Sequence, residues 1–285
     1  MEIKEKILIL EGGYNEEHEV SLKSSSEVKK VLNKINVKYK TLIVNPKNFE
    51  KKIVKYQNYI CFNALHGPFG EDGQIQKILK KNNIRYTHSN IKSSLNCFDK
   101  IIAKKIIKKN KILTPRFDII SKKELNYNKL KFIRKDFKKF VIKPNKSGSS
   151  FGIKIVKNQK DFESLVKELE SFKIQLNFHD NIIIEEFIPG NEITVSTIKH
   201  RNKINSLAVT EIKYKGKFFD YKSKYSKGYA KHILPANINK KNYEKCMILA
   251  RKCHNILGCN SIARTDFILS SKNNRIYFLE TNTQP

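Results

Sequence analysis

The chain has 285 residues, of which 39% are hydrophobic and 29% charged, a balance that is typical of globular domains and argues against disorder. No apolar run approaches the roughly 18 residues that cross a bilayer, and the N-terminus is too short and too acidic for a signal peptide. We therefore expect a cytoplasmic protein without a membrane partner. The five cysteines are scattered and form no C-x-x-C pair, so they indicate neither a disulfide framework nor a zinc site.

The net charge of +30 has three possible explanations. The protein could bind nucleic acid, act on anionic substrates, or come from a genome that favours lysine codons. Lysines are spread over the whole length, Ile and Asn are abundant, and Trp is absent, which favours biased composition. We therefore expect mostly solvated surface charge and no nucleic-acid partner.

The first part of the chain alternates between strands and helices. A turn at Gly12-Gly13 separates the first strand from a helix with an apolar face, and a second helix covers residues 74–82. Strands are predicted at residues 6–10, 40–44, 59–65 and 84–88. This alternation predicts a parallel sheet and a first domain that ends near Ser94.

The middle of the chain begins with a basic amphipathic helix over residues 98–110, which is followed by a break at Thr114-Pro115. A strand around FVIKP then enters the loop NKSGSSFG, and GIKIV is its predicted hairpin partner. A helix over residues 160–171 closes this segment.

Strands predominate again from Asn181 onward. They are interrupted by a polar loop over residues 220–235 and by a helix over residues 242–257. The last two strands, SIARTDFILS and RIYFLETN, are joined by the turn SKNN.

This last pair of strands carries the strongest local signal. Side chains two positions apart on a strand share a face, which pairs Arg264 with Asp266 and Glu280 with Asn282. Strand pairing can then bring Asp266, Glu280 and Asn282 together as oxygen ligands for Mg²⁺ or Mn²⁺. The alternative is an ordinary hairpin with a solvated polar face. The apolar positions opposite fit both interpretations and are Phe267, Leu269, Phe278 and Tyr277.

Three loops are candidates for nucleotide contacts. The loop 143–152 could turn backbone N–H groups and Lys143 toward phosphate, although a Ser/Gly hairpin turn explains it equally well. The segment NIIIEEFIPGNEITV could present backbone groups to an adenine and Glu192 to a ribose, or it could be a plain β-hairpin. The loop that begins at Phe219 could close as a lid over an anionic nucleotide, or it could be irregular surface.

Six ordered blocks together resemble the D-alanine:D-alanine ligase family of the ATP-grasp superfamily. They are G-G-x-x-x-E-H-E-V-S (12–21), A-L-H-G-x-x-G-E-D-G (64–73), K-P-x-x-x-G-S-S-x-G (143–152), D-Y-x-x-K-Y (220–225), R-x-D-F (264–267) and E-x-N-T (280–283). The resemblance covers the chain from Lys6 to Pro285, and each block alone would be weak evidence.

The resemblance implies an α/β and α+β fold, in which an ATP-grasp fold is preceded by a parallel-sheet α/β domain. The expected domains are 1–94 for the first D-alanine, 95–180 for the central ATP-grasp subdomain and 181–285 for the C-terminal one. The implied reaction uses ATP and two Mg²⁺ or Mn²⁺ ions to phosphorylate one D-alanine. A second D-alanine then attacks the acyl phosphate to give D-alanyl-D-alanine for peptidoglycan, and a homodimer is implied as well.

The resemblance also assigns roles to individual residues. Glu17 matches the carboxylate that binds the ammonium of the first D-alanine, Ser149 and Tyr225 match its hydrogen-bonded partners, and His66 lies beside that substrate. Arg264 matches the cation that stabilises the tetrahedral oxyanion. The implied ATP contacts are Lys100, Lys143, Glu185, Glu186, Phe187, Ile188, Glu192 and Lys224; Glu186 stands where a lysine is common. The implied metal ligands remain Asp266, Glu280 and Asn282.

Two rival interpretations and one departure remain. Another ATP-grasp carboxylate-amine ligase would share the nucleotide residues, but E-H-E-V-S and D-Y-x-x-K-Y favour D-alanine. A nucleic-acid-binding protein would lose affinity steeply with salt. The family pattern continues past E-x-N-T-x-P into a segment that contacts the second substrate, so we expect the 285 residues to bind Mg-ATP but to make dipeptide poorly.

Overall fold

The fold consists of three sheets, each with its own hydrophobic core. The computed structural model describes residues 5–148, 152–171, 181–214 and 229–285. Within these ranges no helix is both long and apolar enough to cross a membrane. All five cysteines are buried free thiols, as expected.

The first sheet is parallel, with strand order β2-β1-β3-β4, which confirms the prediction from the alternating pattern. Its buried apolar side chains, among them Leu8, Leu10 and Ile75, form the first core. The elements of this part are β1 (Lys6–Gly12), α1 (His18–Lys34), β2 (Tyr39–Val44), α2 (Phe49–Ile53), β3 (Tyr59–Asn63), α3 (Gln74–Lys81) and β4 (Arg85–Tyr86).

Two helices follow the first sheet: α4 (Ile91–Phe98), which was not predicted, and α5 (Lys100–Lys109). The helix ends and restarts at Asp99, whose extended backbone lets its side chain accept a hydrogen bond from the Ile102 N–H at 3.0 Å. The predicted helix over residues 98–110 is therefore confirmed as α5, with its start moved to Lys100 by this cap.

The second sheet is antiparallel, with order β5-β8-β6-β7. The predicted hairpin around the loop 145–152 is confirmed, because β6 pairs with β7. Two helices pack on this sheet through Leu130, Phe162 and Leu165. The elements are β5 (Phe117–Ser121), α6 (Tyr127–Phe137), β6 (Phe140–Pro144), β7 (Lys154–Val156), α7 (Gln159–Glu170) and β8 (Asn181–Glu186).

The third sheet is antiparallel, with order β11-β10-β9-β12-β13. Its core contains Phe267, Phe278 and Ala250. Ala103 and Ile107 of α5 belong to the same core. The elements are β9 (Gly190–His200), β10 (Lys203–Tyr214), β11 (Ala230–Ile233), α8 (Lys240–Ile256), β12 (Ile262–Ser270) and β13 (Ile276–Asn282).

Sheet membership does not follow the expected division of the chain after residue 180. Strand β8 lies in the second sheet, so the change of sheet occurs between Glu186 and Gly190. Helix α5 precedes the second sheet in sequence but packs into the third core. The chain therefore crosses between these two units more than once.

The third core contains a buried histidine, His254, on α8. Its Nδ1 lies 2.9 Å from the Thr197 hydroxyl, which itself donates to the Ala263 carbonyl at 3.2 Å. Because the hydroxyl proton is used in the bond to Ala263, the hydroxyl oxygen accepts from the ring, and the ring proton is therefore on Nδ1. Within the described residues, Nε2 has no hydrogen-bond partner, so the core holds a neutral imidazole.

We expect this histidine to make the fold sensitive to acid. Burial, with a smaller contribution from the charge of Lys199, lowers the pKa of His254 from 6.5 to about 4. The unfolded chain therefore binds a proton below about pH 6.5 that the folded chain does not, and stability falls as the pH drops from there toward 4. The expected loss is about 3 kcal/mol in the free energy of unfolding.

The test is denaturant unfolding of wild type, His254→Asn and the exposed control His200→Asn between pH 7 and pH 4. His254→Asn should show a shallower loss of stability with acid, while His200→Asn should follow wild type. Identical pH dependence in all three proteins would refute the assignment.

Candidate active site

A cavity of about 610 Å³ lies where the three sheets meet. It is lined by every residue of the predicted site that the structure describes: Glu17, His66, Lys100, Lys143, Glu185, Glu186, Phe187, Ile188, Glu192, Arg264, Asp266, Glu280 and Asn282. Ser149, Lys224 and Tyr225, together with the predicted lid that begins at Phe219, lie outside the described residues. Residues from distant parts of the sequence thus converge on one space.

The pairing of β12 with β13 brings the polar residues of both strands to the cavity. Arg264 lies opposite Asn282 and Asp266 opposite Glu280, which confirms the predicted hairpin. The register shifts next to Asp266, and this bulge explains why Phe278 is in the core while Glu280 lines the cavity. Simple alternation would have placed the two side chains on the same face.

The carboxylate of Asp266 is held by two neighbours. Arg264 donates to it from Nε at 3.0 Å and from a terminal nitrogen at 3.1 Å, and Thr194 donates its hydroxyl at 2.6 Å. The charge of Asp266 is the main cause that raises the pKa of Arg264, against the effect of burial. Thr194 was not predicted, although it lies two positions after Glu192 and therefore shares its face of β9.

Lysine 100 begins α5 and is nearly buried, unlike the solvated lysine that is usual on a helix. Its ammonium donates to the Ser147 carbonyl at 2.6 Å and lies 3.6 Å from a carboxylate oxygen of Glu280. The backbone of α5 is fixed beside it, because the Asn145 side chain accepts from the Ile101 N–H at 2.9 Å. Lys100 therefore joins the glycine-containing loop to the β13 carboxylate.

Glu185 on β8 is buried between two lysines. Lys104 Nζ lies 2.9 Å from Oε1 and Lys143 Nζ lies 2.7 Å from Oε2. Burial would raise the pKa of this carboxyl, but the two positive charges outweigh it and lower the pKa. Glu185 was predicted as an ATP contact, yet its carboxylate is directed at these lysines. Lys104 was not predicted.

Glu17 is the residue before α1, and its side chain makes no capping hydrogen bond to that helix. Its carboxylate reaches across to two glycines, Gly67 and Gly148, and a Cβ on either would overlap it. Gly67 also has a φ of +70°, which disfavours other residues. Two glycines from separate motifs thus make room for one carboxylate.

His66 lies on the same side of the cavity as Glu17. Its Nε2 is 2.8 Å from the Ser24 hydroxyl, and its Nδ1 is 3.4 Å from Glu71. Burial would lower the pKa of His66, but the hydrogen bond and the charge of Glu71 raise it overall. Ser24 and Glu71 were not predicted; Glu71 lies within the A-L-H-G-x-x-G-E-D-G block.

The segment from Phe187 to Pro189 links β8 in the second sheet with β9 in the third. The alternative of a plain β-hairpin for this segment is therefore wrong. The Phe187 N–H donates to the Lys139 carbonyl at 3.0 Å, and its ring lies 4.6 Å from the Lys157 ammonium. The link crosses one wall of the cavity.

Asp266, Glu280 and Asn282 have the oxygen atoms that Mg²⁺ or Mn²⁺ prefers. Two carboxylates and an amide lie at paired positions of one hairpin and line one cavity, so the donor set fits a divalent cation. No group of three His, Cys, Asp or Glu side chains in the described ranges forms a metal site. The amide is thus needed to complete a three-ligand set.

Comparison with known proteins shows the family. Residues 106–285 match the family model of the D-Ala D-Ala ligase C-terminus. The D-alanine–D-alanine ligase of Pelagibacter ubique is 42% identical over 98% of this chain and 88% of its own length. That of Wolbachia pipientis wMel is 36% identical over 98% of this chain and 84% of its own length.

The chain belongs to the D-alanine–D-alanine ligase family. A solved relative is the D-alanine–D-alanine ligase of Bacillus anthracis complexed with ATP, with 28% identity, a TM-score of 0.76, and coverage of 99% of this chain and 87% of that one. The VanG D-Ala:D-Ser ligase of Enterococcus faecalis matches with 25% identity, a TM-score of 0.78, and coverage of 99% and 90%. These matches confirm the predicted fold class, a parallel α/β domain followed by an ATP-grasp fold.

Membership of the D-alanine–D-alanine ligase family explains why three cores share one cavity. The parallel α/β part contributes Glu17 and His66, the second sheet contributes Lys143, and the third contributes Arg264 and Asp266. Each of the three parts supplies ionisable side chains, so the site exists only in the assembled fold.

Proposed function

We propose that this chain is an ATP-dependent ligase that joins two D-alanine molecules into D-alanyl-D-alanine for peptidoglycan. ADP and phosphate are the other products. The observation that carries this proposal is the convergence of Lys100, Lys143 and Arg264 with Asp266 and Glu280 around one cavity. Cations and metal-binding carboxylates in such an arrangement suit phosphoryl transfer.

The first chemical step requires neutralisation of the triphosphate. A carboxylate oxygen of the first D-alanine attacks the γ-phosphorus, the bond to the bridging oxygen breaks, and ADP leaves. In this proposal Lys100, Lys143 and Lys224 bind the phosphates, and Asp266, Glu280 and Asn282 hold two Mg²⁺ or Mn²⁺ ions. The metals supply positive charge next to the transferred phosphoryl group.

The second step forms the peptide bond. The amine of the second D-alanine attacks the acyl carbon, a tetrahedral intermediate forms, and its collapse breaks the bond from carbon to the phosphate oxygen. In this proposal Arg264 stabilises the developing oxyanion, and its two hydrogen bonds to Asp266 support the role because they hold the guanidinium in position. Glu17 binds the ammonium of the first D-alanine with Ser149 and Tyr225, and His66 lies beside it.

The adenosine binds along the link between β8 and β9 in this proposal. Backbone groups of Glu186, Phe187 and Ile188 contact the adenine, and Glu192 accepts from the ribose hydroxyls. Glu185 acts on the nucleotide through Lys143, in accordance with its ion pair. In this proposal the first D-alanine is bound by the expected first unit, residues 1–94.

The remaining expectations belong to the same proposal. A cytoplasmic homodimer without a nucleic-acid partner fits an enzyme that consumes ATP and free amino acids. The rival function, ligation of a different carboxylic acid, would use the same nucleotide residues.

A phosphate-release assay with purified protein, Mg-ATP and a panel of amino acids tests the function. We expect release to depend on D-alanine, and chromatography should identify D-alanyl-D-alanine. A better turnover with an unrelated acid would favour the rival ligase. Offering D-alanine and D-lactate together at neutral pH should give mainly the dipeptide.

We expect Glu17→Gln to weaken the binding of the first D-alanine without changing the binding of the nucleotide. The amide keeps the volume between Gly67 and Gly148 but loses the charge that pairs with the substrate ammonium, so KM for D-alanine should rise about tenfold or more. The Kd for Mg-ATP should stay within about twofold of wild type. Initial-rate kinetics and calorimetry measure the two values, and Glu16→Gln is the matched control. An unchanged KM would remove Glu17 from the substrate site.

A further inference from the structure

Lys104 is the most completely buried charged side chain next to the cavity, with no exposed surface. A lysine ammonium is costly to bury without partners. Here it lies 2.9 Å from Glu185, donates to the Thr114 hydroxyl at 2.6 Å, and lies 5.5 Å from the centre of the Phe117 ring. The side chain is therefore held in one place by three neighbours.

Glu185 carries one negative charge and contacts two positively charged lysines. Lys104 contacts Oε1 and Lys143 contacts Oε2. Only Lys143 lines the cavity; Lys104 lies behind Glu185 and does not. Lys143 thus faces the cavity, where the proposed nucleotide binds, and Lys104 offsets the charge of the Glu185 carboxylate from within the protein.

The charge on Lys104 affects how strongly Lys143 attracts a phosphate. If Lys104 were neutral, Glu185 would keep Lys143 as its sole partner among these lysines, and that pair would have no net charge. In a site with little water, such a pair attracts a triphosphate much less than an ammonium whose counter-ion is already neutralised. The carboxylate would then also repel the phosphate oxygens.

The location of Lys104 also links three elements that carry residues of the proposed site. It lies one helical turn after Lys100 on α5, so both side chains lie on the same side of that helix. Its partner Thr114 donates to the Phe278 carbonyl at 3.0 Å, two residues before Glu280 on β13. Lys104 therefore connects α5, β8 and β13 around the cavity.

We propose that Lys104 is a positioning residue for phosphoryl transfer, whose buried ammonium neutralises Glu185 and leaves the charge of Lys143 available to the nucleotide. Lys104 does not touch the substrate in this proposal. The inference rests on the proposed function for the identity of the reaction, but its central claim concerns ATP binding alone.

The test is a double-mutant cycle on Mg-ATP affinity in the full chain, measured by calorimetry without D-alanine. Lys104→Met should raise the Kd for Mg-ATP about tenfold or more, because Glu185 then offsets the charge that Lys143 presents to the nucleotide. The matched control is Lys105→Met, an exposed lysine on the same helix, which should leave the Kd unchanged. Lys104→Met/Glu185→Gln should bind Mg-ATP as well as Glu185→Gln alone.

A second measurement separates this role from a structural one. KM for D-alanine, which depends on the Glu17 side of the cavity, should stay within about twofold of wild type in Lys104→Met. A parallel loss of D-alanine and ATP affinity, or equal losses from Lys104→Met in both backgrounds, would overturn the proposal. If Lys104→Met does not fold, the comparison of Glu185→Gln with the double variant decides the question, since neither has a carboxylate at position 185.

Failure of the proposed function gives a different result. Wild-type protein without D-alanine-dependent phosphate release would refute the ligase activity, whereas the cycle on ATP affinity would still report on Lys104. The two claims are therefore tested independently.

Discussion

Asp266→Asn is expected to reduce D-alanine-dependent phosphate release by about a thousandfold or more. The amide keeps the volume of the side chain and can still accept from the Thr194 hydroxyl, but it removes a charge that the proposed metal ions require. Loss of several kcal/mol of transition-state stabilisation corresponds to this decrease in rate. Single-turnover phosphate release in saturating Mg-ATP and D-alanine measures it.

The control for this prediction is Asp136→Asn, because Asp136 is an exposed carboxylate that also pairs with an arginine, Arg116. It should have wild-type activity. Thermal unfolding of Asp266→Asn should show a folded protein, which separates lost chemistry from lost structure. Wild-type rates for Asp266→Asn in Mg²⁺ would refute its assignment as a metal ligand.

Arg264→Lys should slow dipeptide formation by about a hundredfold to a thousandfold, the usual cost of removing a group that stabilises an oxyanion. Lysine keeps the positive charge but cannot reproduce the two-nitrogen contact with Asp266, so the charge is no longer held in place. The first step depends less on this guanidinium. The rate of acyl phosphate formation should therefore fall less than the rate of dipeptide synthesis.

The two steps can be measured separately in this variant. Movement of isotopically labelled oxygen from the bridge between the β- and γ-phosphates of ATP into the non-bridging positions of the β-phosphate, in the presence of D-alanine, reports reversible acyl phosphate formation. Chromatography reports dipeptide. Equal losses in both measurements would contradict a role for Arg264 at the tetrahedral centre, and Arg275→Lys, an exposed arginine in the turn before β13, serves as control.

The periodicity of the sequence predicted the elements better than their partners. Strands β12 and β13 were predicted as a hairpin because both alternate and a short turn joins them. The bulge beside Asp266 was not predictable, since one extra residue in a ladder leaves no clear mark in an alternating pattern. It decides whether Phe278 or Glu280 faces the core.

The residues of the candidate site were also predictable to different degrees. Glu17 and Arg264 lie in motifs whose spacing is recognisable, so the resemblance located them. Lys104 carries no such mark, because a lysine on a basic helix is most often solvated, and only the approach of β8 reveals its partner. The assignment of β8 to the second sheet was missed for a related reason: strand pairing is a long-range property that local sequence does not encode.

The short link between β8 and β9 also limits how the second and third sheets can move. Four peptide units join Glu186 to Gly190, and consecutive Cα atoms are 3.8 Å apart, so these two residues can never be more than about 15 Å apart. The sheets therefore cannot slide apart at this edge of the cavity. An opening that admits ATP can therefore be widest at the side of the cavity farthest from Phe187.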